Sequence, residues 1–109
     1  MNRYFGEIMT LPVFLHIEAT PNPKETEALQ NYLSSVSPIL HKHGGVTIAT
    51  YDVESSLDDA DSPAVFIVIS FPSRTAIDNF FADHNYQNIV PSRDLGFSHL
   101  RFYLTSERI

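Results

Sequence analysis

The stretch Ala64–Phe71 reads AVFIVISF, with Ser70 its one polar side chain. Successive residues of a strand point to opposite faces. A strand of this composition is therefore apolar on both sides, and belongs in the middle of a sheet that is covered on both faces. A chain of 109 residues has room for one domain and one core. Its own helices can cover one face of such a sheet, which leaves the other face to be covered by something else.

The remaining segments supply partners for that strand. Val13–Ala19 (VFLHIEA) alternates, with Val13, Leu15 and Ile17 on one face and Phe14, His16 and Glu18 on the other. Thr20-Pro21-Asn22-Pro23 stops it. Asn22 is placed to cap a helix, Pro23 suits the first helical position, and Glu25 suits a capping box. The helix that follows carries Ala28, Leu29, Tyr32, Leu33, Val36 and Leu40 on one stripe. Pro38 is expected to kink or break it near Ser35. Gly44 is expected as its left-handed C-cap. Val46–Val53 is a second strand, and Glu54–Pro63 an acidic loop. Ser73 caps a helix through about Ala82. Asn85–Val90 forms another turn or two, stopped by Pro91. Ser98–Thr105 is the last strand.

The order β-α-β-β-α-β predicts an α+β, ferredoxin-like fold: an antiparallel four-stranded sheet with both helices on one face. We expect a single domain over residues 13–109, preceded by an N-terminal arm over residues 1–12.

Composition narrows the function. The formal net charge is −6, and no basic run exists beyond His41-Lys42-His43. Nucleic-acid binding needs cations that displace phosphate counterions, so nucleic acid is not an expected partner, nor is an anionic membrane. Cysteine is absent, which removes disulfides, thiolate nucleophiles and thiolate metal sites. The first residues do not read as a signal peptide, and no apolar run approaches a membrane span. We expect a cytoplasmic protein.

Several short motifs together carry a resemblance. A strand ending in Ile17-Glu18 is followed by Asn22-Pro23 and a helix. His43-Gly44-Gly45 leads into the second strand. Phe71-Pro72-Ser73 follows the central strand, and Tyr86-Gln87 precedes Pro91 and Arg93. With these the chain resembles the DUF1330 type of the dimeric α+β barrel superfamily, over roughly Val13 to Ser106. It departs from that pattern at His16 and Ser70, where the family tends to carry acidic residues. The resemblance implies a homodimer in which two open sheet faces pack together. That is the cover demanded by Ala64–Phe71. The superfamily includes cofactor-independent monooxygenases, haem-degrading enzymes, lactone isomerases and ligand sensors, and the fold does not choose among them.

The candidate site residues are few. His16 and Glu18 share a strand face, and a His beside a carboxylate can act as a general base. The alternative is a half-buried His held by a hydrogen bond. His99, Arg101 and Tyr103 share a face of the last strand, which lies beside the first in this topology. His16 is therefore a candidate cross-strand neighbour of His99 or Arg101, and Arg101 a candidate carboxylate binder. Pro91 fixes a turn that holds Arg93 relative to Tyr86. These two either line a cleft between helix and sheet or serve packing and pairing alone. His41-Lys42-His43 lacks metal-site spacing, and the acidic loop Asp58-Asp59-Ala60-Asp61 lacks that of an EF-hand. No phosphate loop, nucleophile elbow or zinc spacing is present, and Trp is absent.

Three readings follow. The first is a dimeric module that binds a small metabolite, with an anionic one as the candidate, through Tyr86, Arg93 and Arg101, with no cofactor or metal. The second is a small cofactor-independent enzyme of isomerase or monooxygenase type, with His16 or His99 as proton carrier. The third is a purely interactive protein that assembles through its sheet edges.

Overall fold

The computed structural model describes residues 11–108. The expected arm over residues 1–12 lies almost wholly outside them. Among the described residues seven elements follow in order. They are β1 (Val13–Pro21), α1 (Thr26–Lys42), β2 (Val46–Asp52), β3 (Val65–Phe71), α2 (Arg74–Ala82), α3 (His84–Gly96) and β4 (Phe97–Thr105). The sheet order is β2-β3-β1-β4 and every pairing is antiparallel. This is the ferredoxin-like arrangement, with the second helical segment divided into α2 and α3. The doubly apolar strand β3 is central, as its composition demands.

The register fixes the two faces. Leu15 lies opposite Ile69 and Leu104, and Ile17 opposite Ile67 and Phe102. These side chains face the helices, where Leu15, Ile69 and Phe71 join Tyr32, Ile39, Ile77, Phe80, Tyr86 and Ile89 in the core. Aromatic rings fill its centre. Phe80 lies 4.6 Å from Tyr86, 5.0 Å from Phe81 and 5.6 Å from Phe71 between ring centroids. Tilted and edge contacts of this kind each add about 0.5–1.5 kcal/mol beyond burial.

Local chemistry explains the boundaries. Ser73 accepts a hydrogen bond from the Ala76 N–H and starts α2. Asp83 does the same for α3 through the Asn85 N–H. Gly44 follows α1 with φ +78°, a conformation that costs glycine little. Three expectations are corrected. Asn22 does not cap α1: its side chain accepts from the Lys24 N–H in a turn, and the helix begins at Thr26 without a side-chain cap. Pro38 does not break α1, which runs unbroken to Lys42. Ile39, just beyond the proline, is buried, and that packing outweighs one missing backbone bond. Pro91 likewise lies inside α3 rather than ending it.

Among the described residues no helix is long and apolar enough to cross a membrane. No group of three or more His, Asp or Glu among them is placed to hold a metal ion.

Candidate functional site

A cavity of about 220 Å³ lies between the sheet and α1. The strands contribute Leu15, Ile17, Ile67 and Phe102, and the helix contributes Tyr32 and Val36. Thr47 and Thr50 of the edge strand β2 also line it, and none of the described residues that line it is charged. The cavity follows from the sequence. Residues 33, 36 and 40 bring aliphatic side chains from α1, yet the edge strand answers with the short threonines. The space between them is therefore not filled. Leu33 remains 45% exposed although it borders this space.

Tyr32 lines the cavity and also belongs to a buried polar chain. Its hydroxyl lies 3.1 Å from that of Tyr86, and the Arg93 guanidinium donates to the Tyr86 hydroxyl at 3.1 Å. Arg93 is held in turn by Asp94, with Nη2 3.0 Å from Oδ1. Its cation sits 5.8 Å from the centre of the Tyr86 ring and 5.7 Å from that of Phe102, within cation–π range. Burial works against the Arg93 charge, but the Tyr86 hydroxyl and the Asp94 carboxylate outweigh it, and its pKa is raised. Burial, with Tyr86 close by, pushes the Tyr32 hydroxyl upward, so it stays protonated.

The stripe that builds this chain runs along α3 at positions 86, 89, 93 and 96, spaced as one helical face. Tyr86, Ile89 and Gly96 are buried and Arg93 is mostly so. Gly96 brings α3 against α1: a side-chain carbon there would lie 2.8 Å from the Leu29 Cα. Asn31 of α1 donates to Ser92 at 2.7 Å on the same seam.

The other candidates lie on the opposite, open face of the sheet. His16 sits opposite Val68 on β3 and Tyr103 on β4. Glu18 sits opposite Arg101, and Thr20 opposite His99. The His99 Nε2 comes within 3.3 Å of the Glu18 Oε1. The direct pairing of His16 with His99 or Arg101 is not formed, because the register gives Tyr103 that place. The Arg101 cation instead lies 5.7 Å from the Tyr103 ring centre. The structure thus brings Tyr86 to Arg93 and His99 to Glu18, and sets these two pairs on opposite sides of the sheet.

In the sequence Tyr32 reads as core alone, since apolar periodicity cannot show where a hydroxyl points. Asp83 goes unmarked there. The carboxylate of Asp83 binds His43 at 2.7 Å and Lys42 at 3.1 Å. In the acidic loop, Asp58 accepts from Ser56 and from the Ala60 N–H, which occupies one carboxylate oxygen in a local turn.

A family model described as a domain of unknown function, DUF1330, matches residues 16–104. Among solved structures, RPA0582 of Rhodopseudomonas palustris, of unknown function, is 18% identical with a TM-score of 0.75, covering 100% of this chain and 95% of its own. A dimeric ferredoxin-like protein of unknown function from Jannaschia sp. CCS1 is 6% identical with a TM-score of 0.68, covering 88% and 99%. A candidate antibiotic biosynthesis monooxygenase from Nitrosomonas europaea is 13% identical with a TM-score of 0.60, covering 90% and 91%. At these identities the likeness is one of fold. No curated protein matches the chain.

Proposed function

Because this chain belongs to the DUF1330 family, whose function is unknown, we propose its role from its own cavity: it is a homodimeric module that binds a small apolar metabolite. The observation that carries this reading is the 220 Å³ space between α1 and the sheet, with its uncharged lining. An apolar cavity of about 150 Å³ holds benzene, so this one suits a molecule of one or two fused rings. The lining favours a neutral ligand over an anionic one. Arg93 is tied to Tyr86 and Asp94, and Arg101 is on the other side of the sheet.

The dimer rests on the open face. Phe66, Tyr51, Val46 and Tyr103 are exposed there at 40–61%, and apolar side chains exposed together on one face mark an interaction surface. A structural neighbour is dimeric, which agrees with this assignment.

The test is a calorimetric titration with tetralin, a two-ring hydrocarbon without polar atoms, supported by native mass spectrometry of freshly purified protein. Wild type is expected to bind tetralin and to fly as two chains. Thr50→Phe, at an exposed position on the cavity-lining edge strand, is expected to fill the mouth and lose binding. Failure of wild type to bind tetralin overturns the cavity reading, and a monomer overturns the dimer.

A second reading is a cofactor-independent enzyme working on the open face. The His99–Glu18 pair at 3.3 Å supports it, because a carboxylate orients an imidazole for proton transfer. In a dimer that face would enclose His16 and His99. Any activity found that survives the double substitution His16→Ala, His99→Ala excludes this mechanism.

A further inference from the structure

The buried hydroxyl chain has a direction. Arg93 only donates hydrogen bonds, so the Tyr86 oxygen accepts from it. Tyr86 is wholly buried, and its hydroxyl has two partners among the described residues, Arg93 and Tyr32. If Tyr32 also donated to Tyr86, the Tyr86 proton would be stranded without an acceptor in the core, at a cost of about 1–3 kcal/mol. One hydroxyl proton is left over in either direction, and it is less costly on Tyr32, which lines the cavity, than on Tyr86, which is wholly buried; the favoured arrangement is therefore Arg93 to Tyr86 to Tyr32. In that arrangement the Tyr32 oxygen is the acceptor and its own proton is unspent. Among the described residues no acceptor takes that proton, and Tyr32 lines the cavity.

We propose that Tyr32 is the ligand-orienting donor of the cavity, and that the preferred ligand is a neutral one- or two-ring molecule bearing a carbonyl oxygen. This rests on the cavity reading above and specifies the chemistry at its polar end. The guanidinium makes the chain stronger in one sense: hydrogen bonds in series polarise one another, and a cation at the head makes the last hydroxyl a better donor. A carbonyl oxygen accepts that proton without bringing a charge among aliphatic side chains. A carboxylate would have to shed its water in a space that offers no cation, which costs far more than one hydrogen bond returns. Tyr32 orients in this account and takes no part in bond making.

The experiment compares 1-tetralone with tetralin, which share a carbon skeleton and differ by one carbonyl, on wild type and on Tyr32→Phe. The substitution is expected to weaken tetralone by at least about fivefold, the scale of one net hydrogen bond, while tetralin changes by less than about twofold. Tetralin binding serves as the report that the variant is folded. Arg93→Met supplies an independent check. Without the cation the Tyr86 oxygen is free to accept from Tyr32, and tetralone is expected to lose part of its advantage with tetralin unaffected. In wild type, the carbon-13 resonance of the bound carbonyl should move downfield, and Tyr32→Phe should abolish that movement. Equal effects of Tyr32→Phe on the two ligands, or none on either, overturn the donor assignment and leave the cavity reading standing. Failure of both ligands to bind wild type overturns the two together.

Discussion

The imidazole Nε2 of His43 lies 2.7 Å from Oδ2 of Asp83, which ties the end of α1 to the start of α3. The same carboxylate accepts from the Asn85 N–H and from Lys42. One side chain thus caps a helix and joins two segments forty positions apart. His43 also packs edge-on against Phe80, at 6.3 Å between ring centres, so the junction is continuous with the core. The His43 hydrogen bond, with those from Asn85 and Lys42, holds the Asp83 carboxyl well below the ordinary carboxylate range.

Acid should therefore weaken the fold at this junction. The unfolded chain protonates Asp83 near pH 3.9, whereas the folded chain resists. A depressed folded value contributes stability above the unfolded pKa, and that contribution is lost as pH falls below it toward the folded pKa. Asp83→Asn keeps an oxygen to cap Asn85 but removes the charge. Its urea midpoint should fall below that of wild type at pH 6, and the gap should narrow steadily as pH falls from about 4 toward 2. A gap that is constant across this range would show that the charge is not what holds the junction.

Close approach of the helices sets a second expectation. At Gly96 an added methyl would meet the Leu29 backbone at 2.8 Å and 2.9 Å. Backbone cannot rotate aside as a flexible side chain can. Gly96 also accepts from the Asn22 N–H at 2.8 Å through its carbonyl, which limits its movement. Gly96→Ala should destabilise by roughly 1–3 kcal/mol, the usual range for overpacking. Thermal unfolding measures this, and an unchanged midpoint would mean that α1 and α3 part readily.

The strands and the sheet face were legible in the sequence, because period-two alternation and a doubly apolar run have few other outcomes. Ser73 and Gly44 were legible for the same kind of reason: each answers a specific backbone need. The prolines misled. Pro38 and Pro91 each cost a helix one backbone bond, and only the tertiary packing of Ile39 and of the Tyr86–Gly96 stripe reveals that the cost is met. That stripe was hidden because two of its members, Arg93 and Gly96, are not hydrophobic. The pairing of Tyr86 with Arg93 could be raised as a question from their spacing. Its extension to Tyr32, fifty-four positions earlier, could not. Cross-strand partners depended on an exact register, and one step of two residues separates Tyr103 from Arg101 opposite His16.

The hydroxyl chain should show as coupling in stability as well as in binding. Tyr86→Phe leaves the ring in place but deprives Arg93 of an acceptor and Tyr32 of a donor. The expected loss is about 1–3 kcal/mol, the cost of unsatisfied buried polar groups. Tyr32→Phe should cost less, since only Tyr86 loses a partner. The double variant should be less destabilised than the sum, because removing both hydroxyls strands fewer groups. Chemical denaturation of the four proteins gives the cycle. Additivity within about 0.5 kcal/mol would show that the 3.1 Å contact carries no energetic coupling.

The open face gives the last expectation. The helices cover Ile67, Ile69 and Phe71 on β3, so Phe66 and Val68 point the other way. In a dimer formed by packing two such faces, both side chains lie near the centre of the interface, since β3 and β1 are the inner strands. A charge placed there in both copies would be buried beside its own image, where burial and like-charge repulsion add. Phe66→Glu and Val68→Glu should shift the protein to monomer in sedimentation analysis. Each monomer should retain its helical circular dichroism, because the core on the helix side is untouched. Thr75→Glu, exposed on α2, should leave the sedimentation of wild type unchanged. If both β3 variants sediment as wild type does, the interface lies elsewhere and the exposed apolar face needs another occupant.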